Sequence, residues 1–224
     1  MLHGYGANKE SFIGQIRFFS RYFKVVAVDM SGFGGSPPMT YAYSLDDYAA
    51  EIKRVIDELG DDKIIVMAHS FGARVAVRLL RDEKRIDKLI FTGAAGLKPR
   101  RSVRYGLKRA LFLLLKNFVP KDRLVCFYSS DYRSLSPIMR ESFKKIVADN
   151  LDEEYAAIKI RTLLIFGEND KETPLYMARR MNALMENSEL TVIKGAGHFA
   201  FVDKPAEFNG AVLSFLLGGA NRAT

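Results

Sequence analysis

One stretch, residues 63–74, constrains the fold more than any other. Ile64, Ile65, Val66, Met67 and Ala68 form a continuous apolar run, His69 and Ser70 follow, and an amphipathic segment opens at Phe71, Gly72 and Ala73. A short apolar run of this kind reads as a strand buried on both faces, and the segment after it as a helix. Ser70 then sits at a sharp strand-to-helix turn. Such a turn strains the backbone of its apex residue, and small side chains two positions before and after keep the apex clear of the neighbouring strand and helix. Ala68 and Gly72 meet that need. The alternative is a serine capping an ordinary helix.

The rest of the chain is able to bury such a strand. With 224 residues, 48% hydrophobic and 27% charged, it is long enough for one domain with a sizeable core, and disorder is not expected. A single cysteine, Cys126, excludes an internal disulfide and fits a reducing compartment. No apolar leader precedes the first motif, and the longest strongly apolar run, residues 110–115, is too short to span a bilayer, so a cytoplasmic protein is expected. The net charge of +8 raises the question of nucleic acid or an anionic surface, but no nucleic-acid motif is present. Much of the excess is local: residues 97–123 hold nine basic residues against one acid, Asp122.

Taken in order, the chain opens with the end of a strand and a glycine-flexed loop, His3, Gly4, Tyr5 and Gly6. Residues 11–22 carry Phe12, Ile13, Ile16, Phe18 and Phe19 at mostly helical spacing, and residues 23–28 read as a buried strand ending at Asp29. Residues 30–38 are a turn-rich loop with Gly32, Gly34 and Gly35. A phosphate cradle would need a Gly-Lys-Ser/Thr ending or a helix opening directly from the loop, and neither is there. Ser44 and Asp47 resemble a capping box with aspartate in the usual Glu/Gln place. The helix they open shows one apolar face through Tyr48, Ile52, Val55, Ile56 and Leu59, and Gly60 stops it.

A helix over 71–80 and a strand over 88–92 follow the Ser70 turn. Residues 162–166 and 189–193 are further strands, with a helix starting near Pro174 and a last one over 205–217. Between 97 and 159 there are only helical patterns, one of them over 136–147. Strands that alternate with helices, each strand continuously apolar, predict an α/β fold with a mostly parallel sheet covered by helices on both faces.

Three residues at strand ends carry chemistry in combination. A serine hydroxyl is a weak nucleophile until a histidine takes its proton, and that histidine needs a carboxylate to fix its tautomer. Ser70 follows the strand over 64–68, Asp170 stands in Gly167-x-x-Asp170 with Pro174 beyond it, and His198 in Gly195-x-Gly197-His198. Glu168 is the nearest substitute acid, and Asp170 otherwise reads as a turn or capping residue.

With the loops at His3 and Gly4 and at Asp29, Gly32, Phe33, Gly34 and Ser36, this order resembles the α/β-hydrolases from Leu2 to the final helix. Ala68 departs from the family's Gly-x-Ser-x-Gly. The resemblance implies a catalytic Ser70, Asp170 and His198, and an oxyanion hole from the backbone N–H groups of Phe71 and Tyr5, with Gly6 open as a substitute. It implies that His3 holds its loop, that His69 packs around the turn and that Asp29 organises a loop. Some relatives place the acid after the strand that follows the Ser70 helix, but residues 93–96 hold none. No His, Cys, Asp or Glu cluster has metal-ligand spacing, and no cofactor is expected.

The resemblance also makes residues 97–159 a helical cap inserted after the sixth strand, and 1–96 with 160–224 the hydrolase core. A basic amphipathic run over 107–119 suits either a cap helix or contact with anionic lipid, and the cap is favoured. Arg133 and Arg140 would bring a guanidinium over the cleft if the substrate carried a carboxylate; surface arginines are the plainer reading.

The expected function is a serine hydrolase of small carboxylic esters acting through an acyl-enzyme on Ser70. The alternatives are a carbon–carbon bond hydrolase or cofactor-free lyase of the same fold, or a non-catalytic binding module. The resemblance further implies that the central strand leading to His3 is reduced to Met1 and Leu2. Each backbone group left unpaired and buried costs about 1–3 kcal/mol, so a fragment of a longer chain is expected.

Overall fold

A computed structural model describes residues 1–60, 62–98 and 135–218. The sheet has four parallel strands in chain order: β1 (Ile64–His69), β2 (Ile86–Thr92), β3 (Arg161–Gly167) and β4 (Ser188–Ile193). Register pairs Ala68 with Phe91, Phe91 with Leu164 and Leu164 with Leu190. The helices are α1 (Ile13–Phe19), α2 (Leu45–Asp57), α3 (Phe71–Leu79), α4 (Pro137–Ala148), α5 (Asp152–Ala157), α6 (Leu175–Leu184), α7 (Ala200–Asp203) and α8 (Pro205–Leu216).

The continuously apolar strands are explained by their two covered faces. Side chains alternate across a strand. Ala68, Phe91 and Leu164 accordingly face one buried layer with Tyr48 and Phe71, while Met67, Ile90 and Ile165 face another with Phe12, Phe201 and Phe208. Each fully buried side chain of this size contributes about 1.5–3 kcal/mol. The capping box of α2 is present: the Ser44 hydroxyl accepts from Asp47 N–H at 3.3 Å, and the Asp47 carboxylate accepts from Ser44 N–H at 2.7 Å. Aspartate is long enough because both bonds close within one turn.

The far side of the sheet differs from expectation. Residues 23–28 do not form a strand; only Val28 is bridged, to Leu2, which is bridged in turn to Ala68, both in parallel. The apolar run is there, but a strand exists only where a partner completes its ladder, and Met1 and Leu2 supply one rung on each side. The first helix is also shorter than residues 11–22, because a 3-10 turn at Lys9–Phe12 takes its start and α1 ends at Phe19.

Beyond β2, residues 99–134 lie outside the described residues, and with them Arg133, most of the basic cluster and the amphipathic run. The described part of 97–159 holds α4 and α5. It is fastened to α3, where Arg78 donates to the Asp149 carboxylate at 2.8 Å, and to the loop after β2, where the buried Tyr155 hydroxyl donates to the Ala95 carbonyl at 2.7 Å.

Candidate active site

Ser70 is the one non-glycine among the described residues with a positive φ, at φ 49° and ψ −107°. Its side chain makes no capping bond to α3, which removes the helix-cap reading. The conformation is held from both sides: Ser70 N–H donates to the Thr92 carbonyl at 3.0 Å, and its own carbonyl accepts from Ala73 N–H at 3.2 Å and Ala95 N–H at 3.3 Å. Strain of this kind persists only where the surroundings over-determine it. Gly72 is required by close packing, since a Cβ there would collide with the Leu2 carbonyl. Ala68 is fully buried, so its methyl group is accommodated where the family pattern has glycine.

Asp170 and His198 meet across the ends of β3 and β4. His198 Nδ1–H donates to Asp170 Oδ2 at 2.8 Å. The other carboxylate oxygen accepts from the N–H groups of Glu172, at 2.8 Å, and Thr173, at 2.9 Å, and the Thr173 hydroxyl donates to Oδ2 at 2.7 Å. Burial opposes ionisation of Asp170, yet the bonds from His198 and Thr173 outweigh it and hold its pKa below the ordinary carboxylate value. Because Nδ1 carries the proton toward Asp170, Nε2 is left as the basic nitrogen. Glu168 is exposed and accepts from Gly195 N–H at 3.0 Å, so it does not replace Asp170.

Ser70 and His198 line one cavity of about 1070 Å³, together with Gly4, Tyr5, Gly6 and Phe71. Among the described residues no hydrogen bond joins Ser70 Oγ to His198. The nearest charged group to His198 Nε2 is the exposed Glu172 carboxylate, at 3.8 Å. Phe71 opens α3, so its N–H has no carbonyl one turn back within the helix. Tyr5 is anchored across the cavity, its hydroxyl donating to the Met139 carbonyl of α4 at 2.7 Å and its ring packed edge-on against Phe71.

The remaining histidines are buried and bonded to backbone. His3 is fully buried, with Nδ1–H donating to the Gly4 carbonyl at 2.8 Å and Nε2 accepting from Met30 N–H at 3.1 Å. Both nitrogens are occupied, and burial keeps the ring neutral by lowering its pKa. His69 Nε2–H donates to the His198 carbonyl at 3.2 Å, and burial, reinforced by the neighbouring His198, lowers its pKa to about 3. Asp29 accepts from Lys9 N–H at 2.7 Å, Lys9 Nζ at 2.6 Å and Gly35 N–H at 2.9 Å, which ties the loops at residues 9 and 35.

Among the described residues, the arginine that lines the cavity is Arg74 rather than Arg140, and Arg133 lies outside the described residues. Arg140 lies on α4 but is not among the residues lining the cavity, whereas Arg74 of α3 is. Arg74 Nη1 donates to the Ile146 carbonyl at 2.7 Å and the Asp149 carbonyl at 3.1 Å. Its position four residues after Ser70, one helical turn on, is the signal that points to it. Glu172, which also lines the cavity, carried no signal beyond standing two residues from Asp170. Among the described residues no group of His, Cys, Asp or Glu is placed to hold a metal ion, and no helix is long and apolar enough to cross a membrane.

Comparison with known proteins agrees with this geometry. The family described as "Alpha/beta hydrolase family" matches residues 1–211. The AB hydrolase superfamily protein YisY of Bacillus subtilis is 26% identical, covering 96% of this chain and 89% of its own. An esterase from Exiguobacterium antarcticum superposes with a TM-score of 0.78 at 23% identity, over 97% of this chain and 91% of that one. A meta-cleavage product hydrolase from Pseudomonas fluorescens superposes with a TM-score of 0.72 at 25% identity, over 98% of this chain and 90% of that one. A parallel sheet with helices on both faces, a strained serine after its first complete strand and a family match across almost the whole length make this chain a hydrolase of the α/β-hydrolase family.

Proposed function

We propose that the chain hydrolyses small carboxylic esters through an acyl-enzyme on Ser70. Ser70 Oγ attacks the ester carbonyl while His198 Nε2 accepts its proton, and the backbone N–H groups of Phe71 and Tyr5 stabilise the oxyanion. Asp170 keeps Nδ1 protonated and stabilises the charged imidazolium. His198 then returns the proton to the leaving alcohol, and the same nitrogen takes a proton from the water that releases the acid. The observation that carries this reading is the 2.8 Å bond between His198 Nδ1 and Asp170 Oδ2 at a cavity shared with Ser70. Residues 97–159 serve as the cap, with α4 supplying the apolar wall through Ile138, Met139, Phe143 and Ile146. We take the protein to be cytoplasmic, on its single cysteine.

A nitrophenyl acetate assay tests the reading. It expects a burst of nitrophenolate equal to one per chain, followed by slower turnover; steady release with no burst from Ser70→Ala at the parental rate would remove it.

The second reading, a carbon–carbon bond hydrolase, draws on the likeness to a meta-cleavage product hydrolase and on Arg74 among the residues lining the cavity, a cation that suits an anionic substrate. A vinylogous diketone carboxylate turned over faster than any neutral ester would favour it.

A further inference from the structure

Among the described residues lining the Ser70 cavity, two carry a fixed charge, Arg74 and Glu172. Arg74 is committed to the protein, since its Nη1 donates to two backbone carbonyls at the end of α4. Glu172 is the opposite case. Its backbone is fixed, because its N–H donates to Asp170 Oδ1 at 2.8 Å, while its side chain is 71% exposed.

The carboxylate stands over the working nitrogen of the base, with Oε2 at 3.8 Å from His198 Nε2. That is beyond hydrogen-bond length, so Glu172 does not hold the proton that His198 must pass on. A second acid is not needed there either. Asp170 already serves Nδ1, and its two oxygens accept from His198, from the Thr173 hydroxyl and from the N–H groups of Glu172 and Thr173.

Ester hydrolysis decides what comes to lie beside Glu172. His198 Nε2 returns a proton to the leaving alcohol, so the alcohol oxygen must come within about 2.6–3.2 Å of that nitrogen. It then stands at most about 7 Å from Glu172 Oε2, and a group two or three carbons further along the alcohol reaches the carboxylate. Phe199 stands on the same side of the cavity. It follows His198 directly, lines the cavity and is 39% exposed, with its ring centroid 5.6 Å from that of His198. A carboxylate and an open aromatic ring attract the same kind of group, an organic cation, one by charge and the other by its quadrupole. The net charge of +8 gives no general pull on cations, so this attraction is local.

We propose, resting on the ester reading above, that the alcohol half of the substrate carries a protonated amine two or three carbons from the ester oxygen, held by Glu172 and Phe199 beside His198. Glu172 chooses the leaving group and takes no part in the proton transfer. An anionic alcohol is repelled at the same place.

The test is kcat/KM of the full chain, near neutral pH, for the acetate esters of 2-(dimethylamino)ethanol, of its uncharged isostere 3-methylbutanol, and of the anionic 3-hydroxypropanoate. The ammonium ester is expected to exceed the isostere by about fivefold or more, and the anionic ester by about twentyfold. The first ratio is expected to fall to within about twofold in Glu172→Gln and by about half in Phe199→Leu. In the parent it is expected to shrink with added salt, because the carboxylate is exposed. An equal loss on all three esters in Glu172→Gln would make Glu172 a partner of the imidazolium and overturn the proposal. Turnover of the isostere at or above that of the ammonium ester in the parent overturns the proposal while leaving the ester reading intact. No turnover of any of the three removes the ester reading and the proposal with it.

Discussion

From β1 to β4 the sheet is held by ladders of five or six paired residues, whereas between β1 and residues 24–28 it is held by Met1 and Leu2 alone. Both halves are written in the same apolar alphabet. The difference lies in partners: Ile64 and Ile65 continue β1 beside β2, while Val25, Val26 and Ala27 have no ladder to join. The site is divided along the same line. Ser70, Asp170 and His198 hang from β1, β3 and β4, while Tyr5 follows the single rung at Leu2. The proton-handling side chains therefore stand on the firm half, and one proposed oxyanion donor stands on the thin one.

The largest effects are expected on the firm half. Ser70→Ala is expected to lower kcat for a nitrophenyl ester by about 10⁴-fold or more, and Asp170→Asn by about 10³–10⁴-fold, with far-ultraviolet circular dichroism unchanged. Glu168→Gln serves as the control and should stay within about twofold, because its carboxylate touches Gly195 rather than His198. A larger loss from Glu168→Gln than from Asp170→Asn would reverse the assignment of the acid.

Stability should divide in the same way. Leu89 is fully buried in the middle of the sheet, and Leu89→Ala is expected to cost about 2–5 kcal/mol in urea unfolding. Val26 is only partly buried at the open edge, and Val26→Ala is expected to cost less than about 1 kcal/mol. Equal costs would mean that the thin half is as well packed as the firm one.

Sequence alone makes the firm half legible. Continuous apolar runs mark β1, β3 and the second half of β2, the small residues at 68 and 72 mark the turn, and the Ser44 cap marks α2, because each of these signals is local. The strand expected over 23–28 fails for a non-local reason, since its periodicity says nothing about who pairs with it. Arg74 reaches the cavity one helical turn after Ser70, a spacing that is legible in the chain, whereas Glu172 reaches it through the fold of the loop after β3, which no spacing rule reports. Asp170 was separable from Glu168 only in part, and the buried Thr173 hydroxyl that supports it carried no sequence signal.

A further prediction concerns the pH dependence set by His69. Its folded pKa of about 3 lies below the ordinary 6.5, so between those values the unfolded chain binds the extra proton. Stability is therefore lost as pH falls from about 6.5 toward 3, by at most about 1.4 kcal/mol per pH unit for one group. His69→Gln is expected to flatten that slope by up to one proton, read as the difference from the parent in urea midpoints across the range. An unchanged slope would show that the ring is protonated without cost.

The central claim, that Ser70, His198 and Asp170 act as one unit on the firm half of the sheet, is tested most directly by fluorophosphonate labelling followed by peptide mass mapping. The account predicts a single adduct, on Ser70, formed rapidly in the parent chain and slowed by about 10³-fold or more in folded His198→Ala. An adduct on another serine, or labelling of Ser70 at the parental rate without His198, would contradict it.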